Sequence, residues 1–244
     1  MNFLNEKIVI LSGGRATRLY PVTEDFPKAL LDISGKPFIV RQIELLRKNS
    51  INNIVICAGF LGEKIKEFIQ GGEKFGVNVE YSFDGDELLG TGGAVKKALS
   101  GLSDIFFVIY GDSYLNIDYQ KILNYFKHSD KSGLMTVFKN QDKWDSSNVV
   151  FENNEILFYD KKLKNEKMHF IDYGLGIFKK EIFEREFERK NKFDLEEVYK
   201  KLIDLNQLAG FEVDRRFYEI GSFEGLEETR KYFLKLNGND ERIH

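Results

Sequence analysis

The chain has 244 residues, a formal net charge of −3 and a sequence pI near 5.8. A domain of this size buries about three-quarters of the surface of its unfolded chain, so one α/β domain can account for the whole length. Basic and acidic residues are interspersed, which argues against a nucleic-acid partner. Because the sequence has no bilayer-spanning apolar stretch and residues 1–11 do not resemble a signal peptide, we expect a cytoplasmic protein without a membrane partner.

Strand and helix patterns alternate through the first half of the chain. The predicted strands are 7–11, 53–58, 77–82 and 105–110, and the predicted helices are 38–49, 61–70 and 92–99. This alternation is typical of helices packed on both faces of a parallel sheet. We therefore predict an α/β fold with a Rossmann-like, open, mixed but mainly parallel sheet flanked by helices.

The second half of the chain is richer in strand patterns. Strands are predicted at 134–138, 148–151, 156–159 and 174–178, followed by helices at 181–190, 194–206 and 226–236. We interpret this half as a β-rich extension of the same domain, which would cover residues 1–236 with halves at 1–130 and 131–236. Residues 237–244 carry little apolar material and are expected to fray.

A glycine-rich turn follows the first predicted strand. Because Gly13 and Gly14 lack a Cβ, successive amide N–H groups can converge there on anionic oxygens. Thr17 adds a hydroxyl group, and three cationic side chains follow: Arg15, Arg18 and Lys28. The combination favours a polyphosphate ligand, although two glycines after a strand can also form a simple tight turn.

The glycine turn differs from two well-known phosphate-binding patterns. A nicotinamide fingerprint needs Gly-x-Gly-x-x-Gly, whereas the third and fourth residues after Gly13 are Ala16 and Thr17. An ATPase phosphate loop needs Gly-Lys-Ser/Thr at its end, and no such sequence follows. The turn therefore predicts neither of these two classes.

An acidic residue follows the buried strand pattern at 106–110. Gly111 and Asp112 end this strand, so the carboxylate should emerge at the carboxyl edge of the sheet, where open α/β folds bind ligands. Mg²⁺ typically takes one or two protein carboxylates while phosphates and water complete its shell. Asp112 is thus a candidate magnesium ligand, and the alternative is a turn-forming Gly-Asp pair.

A second glycine-rich segment, Leu-Gly-Thr-Gly-Gly-Ala at residues 89–94, precedes a helical pattern. Gly90 and Gly92 would let the backbone lie flat against a base or ribose. Thr91 can also cap the helix N-terminus, and the two roles are compatible.

Five motifs occur along the chain in the same order as in a known protein family. They are Ser-Gly-Gly-x-x-Thr-Arg-Leu-x-Pro-x-Thr at 12–23 with Pro-Lys at 27–28 and Lys-Pro at 36–37, the segment 89–94, Tyr-Gly-Asp at 110–112, Asp-Tyr-Gly-Leu-Gly at 172–176 and Tyr-Glu-Ile-Gly-Ser at 218–222. Together they resemble the sugar-phosphate nucleotidyltransferases over residues 7–235. Ser12 replaces the usual Ala or Gly, a small-for-small change.

The resemblance implies a GT-A-like nucleotidyltransferase fold and a magnesium-dependent enzyme. Its members transfer a nucleoside monophosphate from a nucleoside triphosphate to a sugar 1-phosphate, giving a nucleotide-sugar and pyrophosphate for cell-surface polysaccharide synthesis. Asp84 stands where relatives present a polar side chain to the base. A carboxylate accepts hydrogen bonds from the N–H edge of guanine, which favours GTP slightly.

The resemblance also implies roles for individual residues. Arg18 would bind pyrophosphate, Lys28 would bind the α-phosphate, and Asp112 and Glu219 would hold Mg²⁺, with Glu219 departing from the usual Asp. The implied nucleotide-binding residues are Leu11, Ser12, Gly13, Gly14, Thr17, Asp84, Gly90, Thr91 and Gly92. The implied sugar-phosphate-binding residues are Asn148, Asp160, Lys161, Tyr173 and Gly174.

Two other functions stay open from the sequence. One is a cytidylyltransferase that acts on a phosphorylated non-sugar acceptor such as phosphocholine. The other is a nucleotide-sensing subunit without turnover, although such a protein need not retain Arg18, Lys28 and Asp112 together. The nucleobase, the sugar and the oligomeric state, including a homo-oligomer, are left open.

Overall fold

The structure is a computed structural model that describes residues 4–240, with side chains described through residue 236. The strands are β1 (Ile8–Ser12), β2 (Asn53–Ala58), β3 (Asn78–Phe83), β4 (Ile105–Tyr110), β5 (Ser113–Tyr114), β6 (Gly133–Lys139), β7 (Val149–Glu152), β8 (Glu155–Tyr159), β9 (Phe170–Lys179), β10 (Leu208–Val213) and β11 (Tyr218–Glu219). The helices are α1 (Phe38–Lys48), α2 (Gly62–Ile69), α3 (Gly90–Ala98), α4 (Tyr119–Lys127), α5 (Lys180–Glu186), α6 (Leu195–Asp204) and α7 (Phe223–Asp240).

Nine strands form one mixed sheet in the order β3-β2-β1-β4-β9-β6-β10-β8-β7. The first four are mutually parallel, as their alternation with helices predicts. The strand β9 is antiparallel to both β4 and β6, whereas β10 returns parallel to β6. The α/β class and the mixed sheet are therefore confirmed.

The prediction of an open sheet is wrong at the β-rich end. Val149 of β7 pairs with Phe170 of β9, so β9, β6, β10, β8 and β7 form a closed ring of five strands. The β7–β8 hairpin turns at Asn153 and Asn154, both in the left-handed region. Closure pairs the strand edge that an open sheet would leave exposed.

Helices cover both faces of the sheet because successive strand residues point to opposite sides. On β4, Phe107 and Ile109 join the core beneath α1, α2 and α4, whereas Phe106 and Val108 join the core beneath α3, α5 and α6. A third apolar cluster lies beneath α7 and includes Phe233.

Four elements, α4, β10, β5 and β11, are absent from the sequence prediction. The helix α4 is capped by Asp118, whose carboxylate accepts from the Lys121 N–H at 2.9 Å. The strand β10 completes the closed ring, and β5 pairs with β11 in a separate two-stranded sheet.

The C-terminal helix α7 runs to Asp240, beyond the predicted end at 236. Residues 241–244 of the expected frayed tail lie outside the described residues, so that expectation stays a prediction. Over residues 4–240, no helix combines the length and apolar character that a bilayer crossing requires.

Candidate active site

A cavity of about 310 Å³ opens at the carboxyl ends of β1 and β4. The predicted Leu11, Ser12, Gly13 and Gly14 line this cavity together with Asp112. The two segments are neighbours, since the Gly111 N–H donates to the Leu11 carbonyl at 2.8 Å and a Cβ on Gly111 would overlap Ser12 Oγ. The glycine turn and Asp112, which are distant in sequence, therefore share one cavity.

Lys28 and Asp112 form an ion pair inside this cavity. Lys28 begins a short 3-10 turn after Pro27, and its Nζ donates to Asp112 Oδ2 at 2.6 Å. The side chains are only 20% and 26% exposed. Burial alone would raise the pKa of Asp112, but the Lys28 ammonium and the more distant Arg18 guanidinium outweigh it and lower the pKa. Asp112 is thus an ionised carboxylate at neutral pH.

Glu219 reaches Asp112 through the small β5–β11 sheet. It pairs with Ser113, and the Ile220 N–H donates to the Asp112 carbonyl at 2.9 Å. Its carboxylate folds back to accept from the Ser222 hydroxyl at 2.7 Å and from its own turn at the Gly221 N–H. Burial first, and then the charge of Asp112, raise the pKa of Glu219.

The two acids fit a magnesium ion. A Cβ placed on Gly221 would lie 2.7 Å from Glu219 Oε2, 3.2 Å from Asp112 Oδ2 and 3.0 Å from an Arg18 terminal nitrogen, so these three groups surround one point. No cluster of three His, Cys, Asp or Glu side chains occurs in the described part of the chain. Two carboxylates suffice for Mg²⁺ when phosphates complete its shell. The mutual repulsion of the acids is what a divalent cation would relieve.

Arg18 and Thr17 lie on the 3-10 turn Thr17–Leu19 that follows the glycine turn. Both side chains are exposed, and Arg18 extends toward the two acids. Neither Thr17 nor Arg18 is among the residues that line the cavity. Arg18 nevertheless lies beside Asp112, since the same Cβ position on Gly221 is close to both side chains.

Asp84 lies at the deep end of the cavity beside the glycine turn. Its side chain accepts from the Leu89 N–H at 3.3 Å, and a Cβ on Gly13 would lie 3.3 Å from its Oδ2. Burial raises the pKa of Asp84, partly offset by the Leu89 hydrogen bond and by Lys97. Asp84 is thus a buried carboxylate that lines the cavity.

The glycines of segment 89–94 pack mainly against protein. The Gly92 N–H donates to the Phe193 carbonyl at 2.9 Å, and a Cβ on Gly92 would overlap the Phe193 ring. Gly90 and Thr91 line the cavity, whereas Gly92 packs against Phe193 in the segment before α6. The prediction that Thr91 caps its own helix is wrong, because α3 begins at Gly90 and the Thr91 hydroxyl accepts from the Leu195 N–H at 2.8 Å.

The side chains of Asp160 and Lys161, both predicted to bind the sugar phosphate, point in different directions. Both Asp160 oxygens are occupied: Oδ1 accepts from the Lys162 and Leu163 N–H groups, each at 2.8 Å, and Oδ2 from Lys200 Nζ at 2.6 Å. These contacts, with that of Lys200 the largest, lower the pKa of Asp160 to about 2. Lys161 extends instead toward the Tyr110 hydroxyl at the end of β4.

The other predicted acceptor-side residues are Asn148, Gly174 and Tyr173. Gly174 and Tyr173 are neighbours on β9, so they face opposite sides of the sheet. Gly174, at φ +100°, lies against the Tyr110 ring, and Asn148 Oδ1 accepts from the Asp172 N–H at 2.9 Å. Tyr173 points the opposite way and is only 1% exposed, packed against Phe138 and Phe217. The structure therefore places the Tyr173 ring in the core and apart from the cavity.

Tyr110 and Asp172 were not predicted as site residues, although both stand inside quoted motifs. Tyr110 lines the cavity, and Asp172 lies on the same sheet face as Gly174, holding the Tyr159 hydroxyl at 3.0 Å. Burial raises the pKa of Asp172, although Lys161 opposes it. The period-two alternation that places Asp112 and Gly174 could have indicated both residues.

The mixed sheet, with a cavity at the carboxyl ends of its parallel strands, defines an α/β protein whose cavity lies where such folds bind their ligands. A sequence model of the family described as Nucleotidyl transferase matches residues 7–235. The chain belongs to this family, the sugar-phosphate nucleotidyltransferases that its motifs resemble.

Curated relatives and solved structures agree with this assignment. The chain is 34% identical to the D-glycero-alpha-D-manno-heptose 1-phosphate guanylyltransferase of Campylobacter jejuni, over 80% of this chain and 86% of that protein. It is 32% identical to the bifunctional protein GlmU of Methanococcus vannielii, over 96% of this chain but only 57% of that protein's length. The crystal structure of HddC from Yersinia pseudotuberculosis complexed with GMP-PN superposes with a TM-score of 0.77, at 27% identity, and covers 93% and 99% of the two chains.

Proposed function

We propose that the protein transfers a nucleoside monophosphate from a nucleoside triphosphate to a sugar 1-phosphate, giving a nucleotide-sugar and pyrophosphate. The observation that carries this proposal is the Lys28–Asp112 ion pair within a cavity walled by the glycine turn. The relatives named above, one of them a sugar 1-phosphate guanylyltransferase, support the same reaction class.

The proposed reaction is an in-line displacement at the α-phosphorus. A phosphate oxygen of the acceptor forms a bond to that phosphorus, the bond to the bridging oxygen of the β-phosphate breaks, and pyrophosphate leaves with the electron pair. The attacking oxygen is already anionic, so no general base is needed. The protein aligns two anions that repel each other and neutralises their charge.

The chain's own residues divide this work. Backbone N–H groups at Gly13 and Gly14 face the triphosphate, Lys28 neutralises the α-phosphate, and Arg18 binds the departing pyrophosphate. Asp112 and Glu219 would hold Mg²⁺, which would supply further charge neutralisation on the phosphate oxygens when bound.

Asp84 favours GTP as the nucleotide. Its carboxylate can accept from the two N–H groups on one edge of guanine, whereas uracil and thymine offer one. The HddC structure with GMP-PN and the guanylyltransferase relative support this preference. The cytoplasmic location and the use of the product in cell-surface polysaccharides stay predictions.

A substrate matrix tests the proposal. The purified protein would be incubated with each of ATP, GTP, CTP, UTP and dTTP against mannose, glucose and heptose 1-phosphates and phosphocholine, with pyrophosphate release followed with and without Mg²⁺. We expect release that needs a sugar 1-phosphate, is fastest with GTP and is lost in Asp112→Asn. Release with phosphocholine alone, or none with any pair, would contradict the proposal.

A further inference from the structure

Tyr110 lies between the nucleotide cavity and the acceptor side. It is the last residue of β4, lines the cavity and stands two positions before Asp112. Its hydroxyl lies 3.1 Å from Lys161 Nζ, which also sits 4.9 Å from the centre of the Tyr110 ring. The same side chain thus borders the triphosphate cavity and supports the acceptor-side lysine.

The Tyr110 ring is held from several sides. Gln42 Nε2 donates to the Tyr110 carbonyl at 3.0 Å and to the Ser113 carbonyl at 2.8 Å, which fixes the backbone around the Gly-Asp turn. A Cβ on Gly174 would lie 3.4 Å from the Tyr110 ring edge, an ordinary van der Waals distance, so the Gly174 backbone packs beside the ring. The hydroxyl position is therefore set before a ligand arrives.

The Tyr110 hydroxyl keeps a proton to donate. An ammonium group has only donors, so in the contact with Lys161 the phenol oxygen is the acceptor. Over residues 4–236, no protein acceptor takes the Tyr110 O–H in exchange. The phenol therefore has an unused donor beside a cation.

We infer that the Tyr110 hydroxyl binds the phosphate of the acceptor, accepting a hydrogen bond from Lys161 and donating its own proton to a phosphate oxygen. An ammonium group and an adjacent O–H donor suit an anionic oxygen better than a sugar hydroxyl. Asp112 borders the same cavity, so an acceptor held by Tyr110 and Lys161 stands next to the triphosphate site. This inference rests on the proposed function and adds to it a determinant of acceptor affinity.

Tyr110→Phe tests the inference, because it removes only the hydroxyl group. Steady-state rates would be measured with GTP and the sugar 1-phosphate that the wild-type protein uses best. We expect the KM for the sugar 1-phosphate to rise about tenfold, the loss expected for one hydrogen bond to a charged group. The KM for GTP and the melting temperature should stay unchanged.

Tyr81→Phe is the matched control. The Tyr81 hydroxyl donates to the Gln70 carbonyl at 2.8 Å, outside the cavity lining, so its loss should leave both KM values unchanged. A wild-type acceptor KM in Tyr110→Phe, or equal rises for both substrates with a lower melting temperature, would overturn the inference alone. Failure of the wild-type protein to use any sugar 1-phosphate would overturn the proposed function and the inference with it.

Discussion

Lys28 Nζ lies 2.6 Å from Asp112 Oδ2, and this ion pair joins two segments that are 84 residues apart in sequence. It links the turn after Pro27 to the carboxyl end of β4, across the cavity that the glycine turn lines. A triphosphate with its metal ion needs a cation and a carboxylate at one place. In the free protein each of these two groups neutralises the other.

Lys28→Met should lower the free energy of unfolding at pH 7 by about 1–2 kcal/mol, because it leaves a largely buried carboxylate without its partner. The folded protein holds the pKa of Asp112 below its ordinary value of 3.8. The pair therefore stabilises fully above pH 3.8, and its contribution is lost as the pH falls through the lowered pKa. Urea unfolding at pH 7 and below pH 4 measures the effect.

Lys36→Met is the control for that experiment. Lys36 Nζ also lies 2.6 Å from a carboxylate, that of Glu44, but the two side chains are 47% and 40% exposed. Such a surface pair contributes about 0–1 kcal/mol. Equal losses in the two variants would contradict a special role for the buried pair.

Gly225→Ala should displace the second acid of the metal site. A Cβ on Gly225 would overlap Glu219 Oε1, so the carboxylate must leave its present position. The higher helix propensity of alanine, about 1 kcal/mol relative to glycine, should offset part of the stability that this overlap costs in α7. We expect Mn²⁺ affinity, measured by electron paramagnetic resonance in the presence of GTP, to fall at least about tenfold.

The exposed neighbour Glu224 provides the comparison. Glu224→Ala changes the same helix turn without facing Glu219, so Mn²⁺ affinity should match the wild-type value. Unchanged Mn²⁺ affinity in Gly225→Ala would mean that Glu219 is not a metal ligand.

Gly14→Ala should weaken GTP binding without changing the stability of the fold. A Cβ on Gly14 has no atom within 4 Å, so the melting temperature should stay at the wild-type value. A bound triphosphate would approach the same backbone, and we expect GTP affinity by calorimetry to fall about tenfold as this contact is lost. Unchanged affinity would place the triphosphate away from the glycine turn.

Gly93→Ala should show the opposite behaviour. A Cβ there would overlap the Asn191 carbonyl oxygen and force α3 from the segment before α6, costing about 1–3 kcal/mol. Differential scanning calorimetry measures this loss as a lower melting temperature, and an unchanged value would contradict the close packing of α3.

Asp84→Asn should weaken the preference for GTP about tenfold, because an amide offers one acceptor oxygen in place of two. Burial raises the pKa of Asp84, so GTP affinity of the wild-type protein should fall as the pH drops from 7 toward that raised pKa. The variant should lose this pH dependence. Calorimetric titration with GTP and ATP across that pH range checks both, and an unaltered GTP-to-ATP ratio would remove Asp84 from base recognition.

The position of Asp112 is predictable from the sequence because it depends only on the residues beside it. A buried strand ends there, and the carboxyl ends of parallel strands meet at one edge of the sheet. The same reasoning places the glycine turn at that edge, after β1. The structure brings both to one cavity.

Features that depend on distant pairing were not predictable in the same way. The closed ring depends on the pairing of β7 with β9 at Val149 and Phe170, and Glu219 meets Asp112 through the pairing of two short strands. Hydrophobic periodicity carries no information on which strand edges meet. Tyr173 was predicted to bind the sugar phosphate because it lies within a motif. Successive residues of β9 point to opposite faces of the sheet, however, and the Tyr173 side chain points into the core.

A crystal structure with Mn²⁺ and a non-hydrolysable GTP analogue tests the central claim most directly. We predict an anomalous Mn²⁺ peak at the carboxylates of Asp112 and Glu219, with the triphosphate against the backbone of Gly13 and Gly14 and the guanine beside Asp84. A nucleotide bound elsewhere on the molecule, or a metal peak away from Asp112, would contradict the account.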